Sequence, residues 1–244
     1  MKLFVVSDVH GFYRNMRVAL DNAGFDPENP NHMLISCGDA FDRGPAPKEV
    51  IDYFLSLPNK VLVRGNHEDL FIECCKRRHA HGHDYHNGTA RTIQILGGDH
   101  QEHFWQNCDP ALEAATPYLN SLVNYYETKN DVFVHSWIPL GEIILYGGFG
   151  VENYYKENWR EATEDEWYEA RWGCPFEFED KKLYIPDKKI VCGHWHTRDG
   201  FLLHPEMLHN SEWDIYQSEH LVALDGCVAA SGVVNVFVVE EELI

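Results

Sequence analysis

Seven short runs rich in Val, Ile and Leu punctuate this chain, and they constrain its fold more than any other feature. They are "KLFVVS" (2–7), "HMLIS" (32–36), "KVLVR" (60–64), "DVFVH" (131–135), "KIVC" (189–192), "LVALD" (221–225) and "VVNVFVV" (233–239). Near-continuous apolar runs of this length predict strands buried on both faces, as in a sheet covered by helices. Helical stretches lie between the early ones. "FYRNMRVALDNAG" carries Met16, Ala19 and Leu20 and ends on Gly24, a residue suited to a C-terminal cap. "PKEVIDYFLSL" opens on Pro47, which suits a first helical position. Strand, helix, strand, helix, strand reads as two successive βαβ units.

Beyond these units, residues 71–130 read as a mostly helical insertion or lid region around a polar loop, "RRHAHGHDYHNG" (77–88). The segment 150–185 is aromatic and acidic, and Thr163 with Glu166 predicts a capping box opening a helix there. The chain shows no internal repeat and no linker, so 1–244 is expected to be one domain.

Charge narrows the partners. Asp and Glu number 39 against 20 Lys and Arg, for a formal net charge of −19. That field repels nucleic acid and anionic membranes, both of which reward clustered cations. An anionic substrate would need a local inversion of the field, and bound metal ions are the device that provides it. The opening "MKLFVV" turns polar at Ser7-Asp8, too soon for a signal peptide or a membrane span. Seven cysteines without a CxxC pair predict a reducing, cytoplasmic setting. Cys37 and Cys192 lie within apolar runs and read as small buried hydrophobes.

The residues just past each run carry the chemistry. The first run leads to "SDVHG" (7–11), the second to "CGDAFDRG" (37–44) and the third to "RGNHED" (64–69). The fourth leads to "HSW" (135–137), and the fifth to "GHWH" (193–196). Ligand sites in α/β sheets collect beyond the carboxyl ends of strands. Oxygen and nitrogen donors without thiolates suit Mn²⁺, Fe or Zn²⁺ in an open site. The donors outnumber the needs of one ion, so a carboxylate shared by two ions is expected, with Asp39 central.

The motifs Asp8-x-His10, Gly38-Asp39-x-x-Asp42-Arg43-Gly44, Arg64-Gly65-Asn66-His67-Glu68, His135 and Gly193-His194 resemble those of the calcineurin-like metallophosphoesterases. "GDxxDRG" and "RGNHE" point to the phosphoprotein-phosphatase branch, which includes serine/threonine phosphatases and symmetrical dinucleoside tetraphosphate hydrolases. "LDG" at 224–226 resembles that branch's last motif. The resemblance implies an α/β fold, a central β-sandwich flanked by helices, with two divalent metals at one edge. It implies that Asp8, His10 and Asp39 hold the first metal, and that Asp39, Asn66, His135 and His194 hold the second. Arg43, with Asn66, would bind the substrate phosphate, and Asp42 would orient His67 as general acid. The implied reaction is in-line attack of a metal-bridging hydroxide on phosphorus.

Two positions depart from the branch. Ser136-Trp137 come after His135 where small residues are usual, which sets a bulky ring beside the metals. "GHWH" adds His196, which resembles the extra first-metal ligand of other metallophosphoesterases. Arg171, in "EARWGCP", resembles a second phosphate-binding arginine, with a surface helix-end role as the alternative. The histidines of 79–86 could hold another ion, but a solvated lid loop is the expectation. Glu68 is expected to cap or brace the helix after "GNH". The expected substrates are phosphomonoesters on small molecules or peptides, including phosphoserine and phosphothreonine. Dinucleoside polyphosphates are the alternative, with Tyr85, Trp137 and Trp195 available for stacking. A metal-binding adaptor without activity should have lost ligands or the acid histidine, yet every such position is filled.

Overall fold

Alternation within the apolar runs decides the layers. The computed structural model describes residues 1–98, 103–144 and 151–240. In chain order the first strands are β1 (Lys2–Val6), β2 (His32–Ser36), β3 (Lys60–Val63), β4 (Leu122–Val123), β5 (Tyr126–Glu127) and β6 (Asp131–Phe133). After them come β7 (Gly141–Ile144), β8 (Val151–Tyr154), β9 (Lys189–Cys192), β10 (Tyr216–Gln217), β11 (Leu221–Ala223) and β12 (Phe237–Glu240). One sheet has the order β12-β1-β2-β3-β4 and is parallel except at β12. The second has the order β10-β11-β9-β6-β5, parallel in its three central strands. β7 and β8 form a separate antiparallel pair.

Leu3, Val5 and Ile35 of the first sheet meet Phe133, Val191 and Val222 of the second in a shared, fully buried layer. The alternate residues Phe4, Val6 and Leu34 pack outward against helices, as do Val132, Ile190 and Cys192 on the other side. Each such side chain contributes about 1.5–3 kcal/mol by leaving water. Both faces of each sheet are occupied, so the runs show no polar alternation. The expected α/β sandwich flanked by helices is the fold found.

The helices covering the first sheet are α1 (Tyr13–Ala23), α2 (Pro47–Ser56), α3 (Asn66–Arg77), α4 (Gly82–Asn87), α5 (Thr89–Gly97) and α6 (Cys108–Leu119). Later ones are α7 (Glu164–Ala170), α8 (Pro175–Asp180), α9 (Thr197–Leu203) and α10 (Val228–Ser231). Gly24 caps α1 at φ 80°, and Pro47 lies in the first turn of α2. The capping box at α7 forms: Glu166 N donates to Thr163 Oγ1 at 3.3 Å, and Thr163 N to Glu166 Oε2 at 2.7 Å.

Three expectations change. The polar stretch 77–88 is mostly exposed, as expected, but contains α4 rather than a loop throughout, because Asp84 is buried and accepts from His81 N and Arg77 Nη2, both at 2.6 Å. Segment 71–130 also contributes to the core. Its Ala90, Ile93, Leu96, Ala111, Ala115 and Tyr118 belong to the core over the first sheet, while residues 99–102 lie outside the described residues. Of "VVNVFVV", the strand begins only at Phe237, since Asn235 turns inward and donates to the carbonyls of Trp213 and Leu224, both at 2.9 Å. Among the described residues no helix is long and apolar enough to cross a membrane.

Candidate metal centre

The parallel strands of both sheets end along one edge, and the polar residues that come after them converge there. His10 Nε2 lies 3.7 Å from Asp39 Oδ2 and 4.0 Å from Asp8 Oδ1. On the other side, His135 Nε2 lies 3.5 Å from Asp39 Oδ1 and 2.7 Å from Asn66 Oδ1. His194 joins Asp39 and His135, with ligand atoms within 4.8 Å of one another. Its backbone N–H donates to Asp8 Oδ2 at 3.0 Å. Asp39 is thus approached from two sides, as a shared carboxylate must be.

Two backbone carbonyls fix the histidine tautomers. Nδ1 of His10 is 2.7 Å from Phe41 O, and Nδ1 of His135 is 2.8 Å from Cys37 O. A carbonyl only accepts, so both Nδ1 atoms carry protons. Nε2 of neutral His10 is then a bare lone pair, and Nε2 of His135 meets Asn66 Oδ1, another acceptor, a clash of lone pairs that an ion between them would resolve. Burial pushes both imidazoles well below their usual range, which keeps them neutral. Burial likewise pushes His194 down to about 4. It pushes Asp8 and Asp39 well above the carboxylate range, Asp225 adding to the effect on Asp8 and Asp8 to that on Asp39. A cation set between bare Nε2 lone pairs and carboxyl oxygens satisfies both, and it would offset the burial that disfavours the charged carboxylates. The donor set therefore fits divalent metal ions held through oxygen and nitrogen.

The backbone bends sharply to aim these groups. Asp8, His10, Asp39, Asp42, Arg43 and His194 all have left-handed φ, between 44° and 72°. For side-chain-bearing residues this costs roughly 1–2 kcal/mol each. Such strain concentrates where function over-determines the geometry. Gly65 and Gly193 are required by close approach: a Cβ would overlap Asp39 Oδ1 at the first and Asp8 Oδ2 at the second.

Glu68 offsets part of the strain and does more than cap α3. Its carboxylate accepts from Gly65 N at 2.8 Å, Ala40 N at 2.9 Å and Asp39 N at 3.1 Å, and Tyr118 Oη lies 3.3 Å away. It clamps the turn after β2 to the turn after β3. Glu68→Ala is expected to lower stability by about 3 kcal/mol, because three buried amides lose a charged acceptor. Urea unfolding measures this; a loss below about 1 kcal/mol would mean that water replaces the clamp.

His67 sits beside this pair of clusters. Its Nδ1 is 2.6 Å from Asp42 Oδ2, and its Nε2 is 3.8 Å from Asp39 Oδ2. Asp42 is held in turn by α5: Thr89 Oγ1 donates to Oδ2 at 2.5 Å, and Asp42 N donates to Thr92 Oγ1 at 3.0 Å. Neither threonine stands out in the sequence, because both lie in an ordinary amphipathic helix.

The remaining expected residues divide. Arg43 is exposed and forms no side-chain hydrogen bond or ion pair among the described residues, so its fork is open to an anion. It lines a small cavity with His10, His196 and Asp225. Arg171 is buried, not a surface helix-end residue. Its Nε donates to Asp69 Oδ2 at 2.7 Å and its Nη1 to Asn124 Oδ1 at 3.0 Å. His196 stands outside the clusters around Asp39; its Nε2 is 3.8 Å from Asp225 Oδ2. Trp137 does not crowd the centre, since its ring packs in the second core and Nε1 donates to Leu183 O at 3.0 Å. Ser136 Oγ, meanwhile, donates to Gly173 O at 2.6 Å. Asp225, after β11, is a buried carboxylate beside this edge that the motifs left without a role. Its position at the end of an apolar run, in "LDG", is the signal that marks it.

Residues 1–198 match the family model described as calcineurin-like phosphoesterase. The chain belongs to this family. Among curated relatives, a symmetrical bis(5'-nucleosyl)-tetraphosphatase of Aromatoleum aromaticum is 32% identical over 41% of this chain and 36% of its own length. Serine/threonine-protein phosphatase 2 of Escherichia coli is 38% identical over 29% of this chain and 31% of its own length. These matches span about a third of the relatives' own lengths. A solved structure described as a candidate diadenosine tetraphosphatase superposes with a TM-score of 0.57 at 14% identity, covering 97% of this chain and 88% of the other. A cold-active protein tyrosine phosphatase gives 0.54 at 15% identity, over 98% of this chain and 75% of the other. At such identities the superpositions show a shared fold. The phosphoesterase motifs account for the residues on the shared sheet edge.

Proposed function

We propose that this phosphoesterase-family chain is a cytoplasmic, metal-dependent hydrolase of phosphomonoesters, including phosphoserine and phosphothreonine peptides. The observation that carries the reading is Asp39, set between His10 on one side and His135 on the other. Asp8, His10 and Asp39 would hold one divalent ion, and Asp39, Asn66, His135 and His194 the other. Mn²⁺ is the ion proposed for this mixed oxygen and nitrogen set, with Fe or Zn²⁺ as alternatives. When bound, such ions acidify water and neutralise the phosphoryl oxygens.

The protein's own groups do the rest. Arg43 projects its planar fork over the centre and grips two phosphate oxygens. Arg171, whose Nη2 is uncommitted among the described residues, supplies a second cation close enough to lower the basicity of His135. His67 holds a proton at Nε2 for the leaving oxygen, and Asp42 fixes the ring by accepting from Nδ1. His196 would complete the shell of the first ion by rotation of its half-buried ring. All seven cysteines are free, as a reducing compartment would keep them.

Symmetrical cleavage of dinucleoside tetraphosphates is the second reading. It is favoured by the name of the relative from Aromatoleum aromaticum and by the exposed rings of Trp172 and Trp195 near His194. Trp137, being buried, is withdrawn from that role. Against this reading, the cations assigned to the site are two arginines, few for four linked phosphates. With Mn²⁺ present, kcat/KM for a phosphothreonine peptide is expected to exceed that for diadenosine tetraphosphate. A preference for the dinucleotide of more than about tenfold, or ~1.4 kcal/mol of transition-state stabilisation, would favour the second reading.

A further inference from the structure

Away from the centre around Asp39, the stretch 79–84 gathers imidazoles that the hydrolytic reading does not use. Ring centroids of His79 and His81 are 5.2 Å apart, and those of His81 and His83 are 5.6 Å apart. Ligand atoms of His81, His83 and Asp84 all lie within 4.8 Å of one another. Asp84 is the telling member. It is 1% exposed, and its Oδ2 is occupied by Arg77 Nη2 and His81 N. Its Oδ1 is also buried but has no hydrogen-bond partner, and lies 3.2 Å from His83 Nε2 without hydrogen-bond geometry. The other groups at this carboxylate are Arg77 and the weakly donating Cys74 thiol, so its buried Oδ1 keeps a lone pair able to take a cation.

We propose that His81, His83 and Asp84 form a separate site for one transition-metal ion of the Zn²⁺ class. Two imidazoles and one carboxylate are the donors such an ion prefers, with a fourth position left for water or His79. Metal–nitrogen bonds of ~2.0–2.1 Å set tetrahedral ligand atoms about 3.4 Å apart. His83 and Asp84 already meet that spacing, and His81, being exposed, closes by side-chain rotation. Arg77 on Oδ2 leaves Oδ1 as the coordinating atom and orients it. The site lies on α4, which passes through Gly88 into α5. Gly88 packs against the backbone of Arg43, and Thr89 holds Asp42. A bound ion would therefore stiffen the segment that positions both residues.

The test counts ions. Metal-stripped wild type, a His81→Ala/His83→Ala double variant and Asp39→Asn are dialysed against buffered Zn²⁺, and ions per chain are measured by mass spectrometry. Wild type is expected to bind one ion per chain more than the double variant, and Asp39→Asn is expected to keep that ion. Both histidines are exposed, and circular dichroism verifies that the double variant folds. Equal stoichiometry and affinity in wild type and the double variant would overturn the site. In the Asp39→Asn background, Zn²⁺ is expected to slow amide exchange over residues 80–90, and to stop doing so once both histidines are removed. Exchange untouched by Zn²⁺, or slowed equally in both chains, would also overturn it.

Discussion

Asp39→Asn is expected to abolish hydrolysis of an aryl phosphate, by about a thousandfold or more, while leaving the protein folded. The scale is that of removing a preorganised charge from a transition state. The two oxygens of Asp39 face His10 and His67 on one side and His135 on the other, so one substitution disturbs both halves of the centre. Folding should survive, because an Asn oxygen can still accept from His67 N, now at 3.0 Å from Oδ1. The clamp from Glu68 reaches the backbone of residue 39 and is untouched. Metal content should fall alongside activity. Unchanged turnover in this variant, or in the metal-stripped wild type, would remove the basis for a shared carboxylate.

The second large effect is selective. His67→Asn should slow an alkyl phosphate by ~10²–10⁴-fold, the usual contribution of a positioned general acid. A nitrophenyl phosphate should suffer far less, since its leaving oxygen departs without a proton. The position of the ring makes this more than analogy: Asp42 Oδ2 holds Nδ1 at 2.6 Å, and Thr89 holds that same oxygen. The ring is therefore aimed rather than merely buried. Equal losses on both substrates would assign His67 a structural part.

Sequence and tertiary structure shared this protein unequally, along a physical line. The central strands were legible because burial on both faces leaves near-continuous apolar runs, as at 2–6 and 189–192, whereas β4, β5, β7, β8 and β10 are short or exposed and left no such run. The donors were legible because each lies just past the end of such a run, from Asp8 to His194. Local chemistry sufficed for Gly24, Pro47 and the Thr163–Glu166 box, where a cap needs only neighbours within a few residues. Long-range partners were another matter. That Glu68 would tie its own turn to the amide of Ala40, that Thr89 and Thr92 would hold Asp42, and that Trp137 would face the core depended on residues 28 to 50 positions away. The polar run at 77–88 is largely exposed, as its composition suggests, but composition does not record the buried Asp84 that Arg77 and His81 N hold, which gives the run a helix. Composition and periodicity thus determined which residues could reach the edge of the sandwich. Only the packing of its layers decided which of them touch, since a contact's energy depends on distances that chain order does not encode.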